Sequence, residues 1–165
     1  MACELFRFDS VASVGGFVPI DDRVMGGRSH SRLRHDPAGH AVFEGVVSLE
    51  AGGGFASLRA PVEAMVDRQA SVIRLELLGD GKRYKLSLRM DEGFDGLSYQ
   101  AALAPSPGAW TLLHLPWSAF APTWRGRPVP GAPAFRPAAL RQLGLLIGER
   151  QAGPFALGVR SIQLD

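Results

Sequence analysis

Apolar and polar residues alternate one for one through much of this chain. In SVIRLELL (71–78), Ile73, Leu75 and Leu77 share one face, and Arg74 and Glu76 share the other. In KRYKLSLRM (82–90), Tyr84, Leu86, Leu88 and Met90 alternate with Arg83, Lys85, Ser87 and Arg89. A period of two over this length predicts half-buried strands. The intervening Gly79-Asp80-Gly81 predicts a hairpin turn, because Asp-Gly tolerates positive φ at both central positions. Further strands are predicted at 4–8, 29–35, 40–49, 55–61, 97–104, 109–115, 143–149 and 155–164, with a turn at Asp36-Pro37-Ala38-Gly39. In the last strand Phe155, Leu157 and Val159 are in phase while Ile162 and Leu164 are not, so a bulge is expected near Arg160-Ser161. About ten short strands without alternating helices predict an all-β, jelly-roll-like β-sandwich. One or two short helical turns are expected, at 137–142 behind Pro137 and at 62–69.

The stretch 116–137 breaks the pattern with six prolines, two tryptophans and three arginines. Its composition predicts a long loop that packs on the domain. The 165 residues suit a single domain spanning 1–165. With 46 % hydrophobic and 21 % charged residues the chain is expected to fold. Net charge is only +2, so composition does not point to nucleic acid. The single cysteine, Cys3, excludes an internal disulfide framework. No secretory h-region and no long apolar run are present, which predicts a cytoplasmic protein without a membrane span.

Catalytic signatures are sparse. There is no Gly-x-Ser-x-Gly elbow, and Gly81-Lys82 lacks the rest of a phosphate loop. Gly52-Gly53-Gly54 precedes a strand and reads as a flexible turn rather than a dinucleotide fingerprint. His30, His35 and His40 are five apart, which puts neighbours on opposite faces of a strand and argues against a metal site. Asp91–Gly96 lacks the ligand pattern of a calcium loop and reads as an acidic connection. Asp21 and Asp22 are expected to cap a helix or pair with Arg23. With His114 and the arginines they are the remaining candidates for catalysis, too few for an enzyme to be expected. No cofactor is implied.

One cluster carries more chemistry. Arg83, Lys85 and Arg89 fall on one strand face, and Arg59 and Gln100 on neighbouring strands extend it if the strands pair in phase. Such a face suits an anionic ligand or a carboxylate-bearing partner. The alternative is a solvated face with salt bridges to Glu76 or Asp91. A second open point is whether the 116–137 loop covers this face.

The segments DDRVMGGRS (21–29), GGFASLR (53–59), LLGDGKRYKLSLR (77–89), SYQ (98–100), Trp110, LPWSAFAPTWRGRPV (115–129) and LRQLGLLIGERQAGPFALGVRSI (140–162) resemble the complex I intermediate-associated protein 30 family. The resemblance implies a galactose-binding-domain-like jelly roll related to carbohydrate-binding modules. It also implies an assembly or scaffolding role, the mitochondrial member assisting assembly of NADH:ubiquinone oxidoreductase. Positions carried over as candidate binding surface are Asp22, Arg23, Gly26, Gly27 and Ser29, then Arg59 and Gly79–Gly81, then Arg125, Gly126 and Arg127. Asp22 and Arg23 are also candidates for pinning the first loop to the sandwich. The function expected is a non-catalytic protein-interaction module, with respiratory-complex subunits among its partners. The alternative is a jelly roll binding carbohydrate or a small anion, with Tyr99, Trp117 and Trp124 available for stacking.

Overall fold

The alternating segments become thirteen strands in two sheets. The computed structural model describes residues 3–63 and 69–165. In chain order the strands are β1 (Cys3–Arg7), β2 (Val18–Pro19), β3 (His30–Asp36), β4 (His40–Val47), β5 (Ala56–Pro61), β6 (Val72–Leu78) and β7 (Tyr84–Arg89). They continue with β8 (Ser98–Leu103), β9 (Trp110–Pro116), β10 (Ala121–Trp124), β11 (Arg127–Pro128), β12 (Gln142–Ile147) and β13 (Gly153–Leu164). One sheet has six strands in the order β3-β4-β13-β6-β9, with β1 joining β13 beyond the end of β4. The other has seven, ordered β11-β10-β8-β7-β12-β5-β2. Every strand pair is antiparallel. The architecture is the all-β jelly-roll sandwich expected.

The inward residues of each strand fill one core. Ile73, Leu75 and Leu77 face Leu86, Leu88, Leu143 and Leu145 from the opposite sheet, all at 0–1 % exposure. Phe43 joins the layers, its ring 6.2 Å from Tyr84 and 4.9 Å from Phe155 in edge-on geometry. The predicted bulge sits between Val159 and Ser161, and it returns Ile162 and Leu164 to the core.

Two expectations are corrected. The strands flanking Gly79-Asp80-Gly81 do not form a hairpin: β6 lies in the six-stranded sheet and β7 in the other. Strands facing one core from opposite sides alternate alike, so periodicity cannot tell a hairpin from a crossover. Asp80 holds this corner, accepting hydrogen bonds from Lys82 N (3.0 Å), the Tyr84 hydroxyl (2.9 Å) and Ala156 N (2.8 Å). Gly79 is needed there because a Cβ would meet Pro105 O at 2.7 Å. Likewise 116–137 is not one irregular loop. It holds a 3-10 turn at Trp117–Ala119 and the hairpin β10–β11, which extends the seven-stranded sheet. Arg125 (φ 49°) and Gly126 (φ 77°) form its two-residue turn. Its prolines sit on short strands at the sheet edge, where a missing N–H is tolerated. The remainder folds back so that Phe135 packs on Trp117 and Tyr99.

Among the described residues helical structure is limited to 3-10 turns, at Val11–Val14, Asp22–Met25, Glu50–Gly52, Trp117–Ala119 and, behind its proline as expected, Pro137–Ala139. The turn expected at 62–69 falls largely outside the described residues. No helix among the described residues is long and apolar enough to cross a membrane.

Burial and Asp80 hold the Tyr84 phenol far above its usual range, so it remains a donor. Asp80→Ala removes the two oxygens that accept three hydrogen bonds and orphans that buried hydroxyl, and is expected to cost about 2–3 kcal/mol in urea unfolding. In a Tyr84→Phe background the loss should shrink, because the orphaned donor is gone.

Candidate functional site

The outer face of the seven-stranded sheet is set by the register of its central strands. Arg59 on β5 pairs with Gly144 on β12, Gly144 with Ser87 on β7, and Ser87 with Gln100 on β8. These residues make one row across four strands. Two positions along, Gln142 pairs with Arg89, and on the other side Leu146 pairs with Lys85. The expected gathering of Arg59, Lys85, Arg89 and Gln100 on one face is therefore present. Gly144 leaves a gap in the row between Arg59 and Ser87; a Cβ there would meet Leu58 O at 2.6 Å. None of these four strands contains an aspartate or glutamate.

A strap crosses one end of this face, but it is the β7–β8 connection, residues 91–96, rather than 116–137. Arg59 Nη1 donates to Phe94 O (2.9 Å), and its guanidinium lies 5.4 Å from the Phe94 ring centre. Arg89 Nη1 donates to Gly96 O (2.8 Å). Gln142 Nε2 donates to Asp91 O (2.8 Å) and Gly93 O (2.9 Å). On the far side Trp124 Nε1 donates to Asp95 O (3.1 Å), and Arg125 grips the Asp95 carboxylate at 3.1 and 2.6 Å. Hydrogen bonds from Arg125 hold the Asp95 carboxyl below its ordinary range. Burial and the adjacent Arg89 lower Arg59 to about 10, and burial lowers Arg89 as well. Both remain charged at neutral pH. Arg89 Nε is buried without a hydrogen-bond partner.

The other predicted residues lie elsewhere. Arg83 precedes β7; its side chain pairs with Glu149 (2.7 Å) while the Gln151 amide bonds its backbone, so its charge is neutralised rather than added to the row. Arg127 is exposed on the edge strand β11, and Arg23 is exposed on the 3-10 turn. Asp22 and Ser29 are 1 % and 0 % exposed, which removes them from any contact surface. The Asp22 carboxylate accepts hydrogen bonds from Ser29 N (2.9 Å), Ser29 Oγ (2.6 Å), Gly54 N (2.7 Å) and Phe55 N (3.3 Å). It pins the first loop as one expectation had it, but neither carboxylate caps the turn or ion-pairs with Arg23. Gly53 belongs to this cradle, since a Cβ would meet Asp22 Oδ2 at 2.5 Å. His40 packs edge-on against Trp110, and no His/Cys/Asp/Glu cluster suited to a metal occurs among the described residues. Three residues of the face were missed in sequence: Gly144 as the gap, Phe94 in the strap, and Gln142, because the strand was started one position late.

A family model described as complex I intermediate-associated protein 30 matches residues 6–159. The chain belongs to this family. The complex I intermediate-associated protein 30 assignment extends from β1 to the centre of β13, so it takes in both sheets, the strap and the arginine face. An uncharacterized protein of Schizosaccharomyces pombe is 28 % identical over 167 residues, covering 89 % of this chain and 76 % of its own. Among solved structures, a family 11 carbohydrate-binding module from Clostridium thermocellum, in complex with a β-1,3-1,4-mixed-linked tetrasaccharide, aligns with a TM-score of 0.72. The identity is 12 %, over 99 % of this chain and 94 % of that one. A family 29 carbohydrate-binding module aligns with a TM-score of 0.60 at 7 % identity, over 99 % and 84 %. At these identities the likeness is one of fold.

Burial tends to raise the Asp22 carboxyl, but the donors from Ser29, Gly54 and Phe55 outweigh it and hold it below its ordinary 3.8. Stability from the ionised form is therefore full above that value and lost as pH falls through the lower folded value. Asp22→Asn is expected to cost roughly 2–4 kcal/mol at neutral pH, where an amide N–H meets donors. Thermal midpoints followed into acid should fall less steeply for the variant than for the wild type.

Proposed function

We propose that this member of the complex I intermediate-associated protein 30 family is a non-catalytic recognition module in the cytoplasm. It would bind a protein partner through the outer face of the seven-stranded sheet, as part of assembling a respiratory complex. The observation that carries the reading is the row Arg59–Gly144–Ser87–Gln100, flanked by Lys85 and Arg89 on strands without a carboxylate. Hydrogen-bond donors and positive charge on a rigid sheet orient a partner with little entropy to lose on binding. The family's description, complex I intermediate-associated, supports an assembly role.

A second reading, carbohydrate binding, is favoured by the solved carbohydrate-binding modules of the same fold. The two separate cleanly in experiment. Affinity capture from the native host should bring down NADH:ubiquinone oxidoreductase subunits with wild type and with Arg32→Glu, whose site is on the other sheet. The Lys85→Glu/Gln100→Glu double variant, folded by circular dichroism, should lose them. Equal capture by the double variant would refute this face as the contact. Heat on titration with the mixed-linked tetrasaccharide, without subunit capture, would favour the carbohydrate reading.

A further inference from the structure

The two sheets treat their cations differently. In the six-stranded sheet every strand arginine has a carboxylate within ion-pair distance: Arg7 with Glu4, Arg32 and Arg34 with Glu44, Arg74 with Asp165, and Arg160 with Glu76. In the seven-stranded sheet Arg59, Lys85 and Arg89 have none among the described residues. Arg59 and Arg89 are nevertheless partly buried and close enough to repel each other. Half-buried guanidiniums normally take a carboxylate. Here they take two neutral acceptors, the carbonyls of Phe94 and Gly96. Asp91 and Asp95 are near enough to act electrostatically, but Asp91 accepts from Gly93 N (3.0 Å) within the strap and Asp95 is held by Arg125. Donor capacity is left over, Arg89 Nε being buried without a partner.

We propose that Arg59 and Arg89 are a receptor for the carboxylates of an acidic protein segment, with the 91–96 strap as its resident stand-in. This rests on the reading of the sheet face as the recognition surface and names the partner's chemistry. The two arginines stand on strands separated by β12 and two residues out of line, hence about 12 Å apart at the backbone. An extended chain places carboxylates at i and i+4 on one face and about 13 Å apart, close to that separation. Lys85 adds a third charge on β7, on the other side of Ser87 from Arg89, and the bare floor over Gly144 gives a backbone room to approach. The outward positions of β5, β7, β8 and β12 include no aromatic residue on which a sugar ring could stack. An arriving carboxylate replaces a dipole with a charge at each guanidinium and frees the strap carbonyls to water.

Hexaglutamate peptide is the probe, added to the full chain at low salt and followed by calorimetry and tryptophan emission. Binding should weaken as salt is raised, with hexaglutamine inert. Emission should shift, because moving the strap breaks the bond from Trp124 to Asp95, and Trp124→Phe should abolish the shift without abolishing the heat. Arg59→Gln and Arg89→Gln should each weaken binding about tenfold or more. Arg32→Gln should leave it within about twofold, since that site is already neutralised by Glu44. If either glutamine variant fails to fold, Ser87→Glu tests the same point by placing a carboxylate between the arginines, and it should block the peptide. No binding, equal loss in Arg32→Gln, or tighter binding of trigalacturonate than of hexaglutamate would each overturn the proposal. A captured partner lost in Lys85→Glu/Gln100→Glu yet retained in Arg59→Gln and Arg89→Gln would overturn it too, while leaving the recognition face standing.

Discussion

Two adjacent buried carboxylates tie the two layers of the sandwich together at β3 and β5. Asp21 accepts from Ser31 Oγ (2.6 Å) on β3 and from Ser57 N (3.0 Å) on β5, strands that belong to different sheets. Asp22, pointing the other way on the extended chain, gathers Ser29 and the backbone of Gly54 and Phe55. Charged acceptors form stronger hydrogen bonds than neutral ones, and burial makes each costly to break. The clip fixes where β5 begins, and β5 carries Arg59. The arginine face thus inherits its geometry from residues that never reach the surface.

Beyond that clip the molecule divides its electrostatics by layer. One sheet is locally neutralised, arginine by arginine. The other presents cations toward solvent and toward a loop that gives Arg59 and Arg89 only carbonyl oxygens as hydrogen-bond acceptors. Because the strap is tied at five side chains, Arg59, Arg89, Gln142, Trp124 and Arg125, its placement is set by the same face it covers. Apart from the exposed Arg125–Asp95 ion pair, each tie is made of hydrogen bonds in partial contact with water, individually worth about 1 kcal/mol. Such a segment is ordered in the resting molecule yet within reach of displacement by a charged competitor.

Much of this was legible from alternation alone. The period of two in β6 and β7 exposed both the core and the polar face, and the phase break in β13 located its bulge. The gathering of Arg59, Lys85, Arg89 and Gln100 followed from parity. What alternation hid was layer membership. Ile73 and Leu86 are inward residues of equal character on opposite sheets, so a crossover at Asp80 looked like a hairpin. Proline masked β10 and β11 because edge strands tolerate what central strands do not. Arg83 looked like part of the row, but Glu149 neutralises its charge. Asp22 was visible as a candidate, but its four donors come from residues up to 33 positions away, and no local pattern encodes such a cradle. The strap was read only as an acidic link, since its contacts are made by carbonyls that carry no residue identity.

The pairing of β1 with the end of β13 sets Cys3 opposite Leu164. The two extremes of the described chain therefore lie on neighbouring strands at one corner, in the sheet that does not bear the arginine face. A short linker between them would close the chain into a ring, and fresh termini at the exposed 36–39 turn would yield a circular permutant with the same sheet order. The same adjacency lets the whole sandwich sit as an insert within a loop of another protein, both connections leaving from one point and the arginine face untouched.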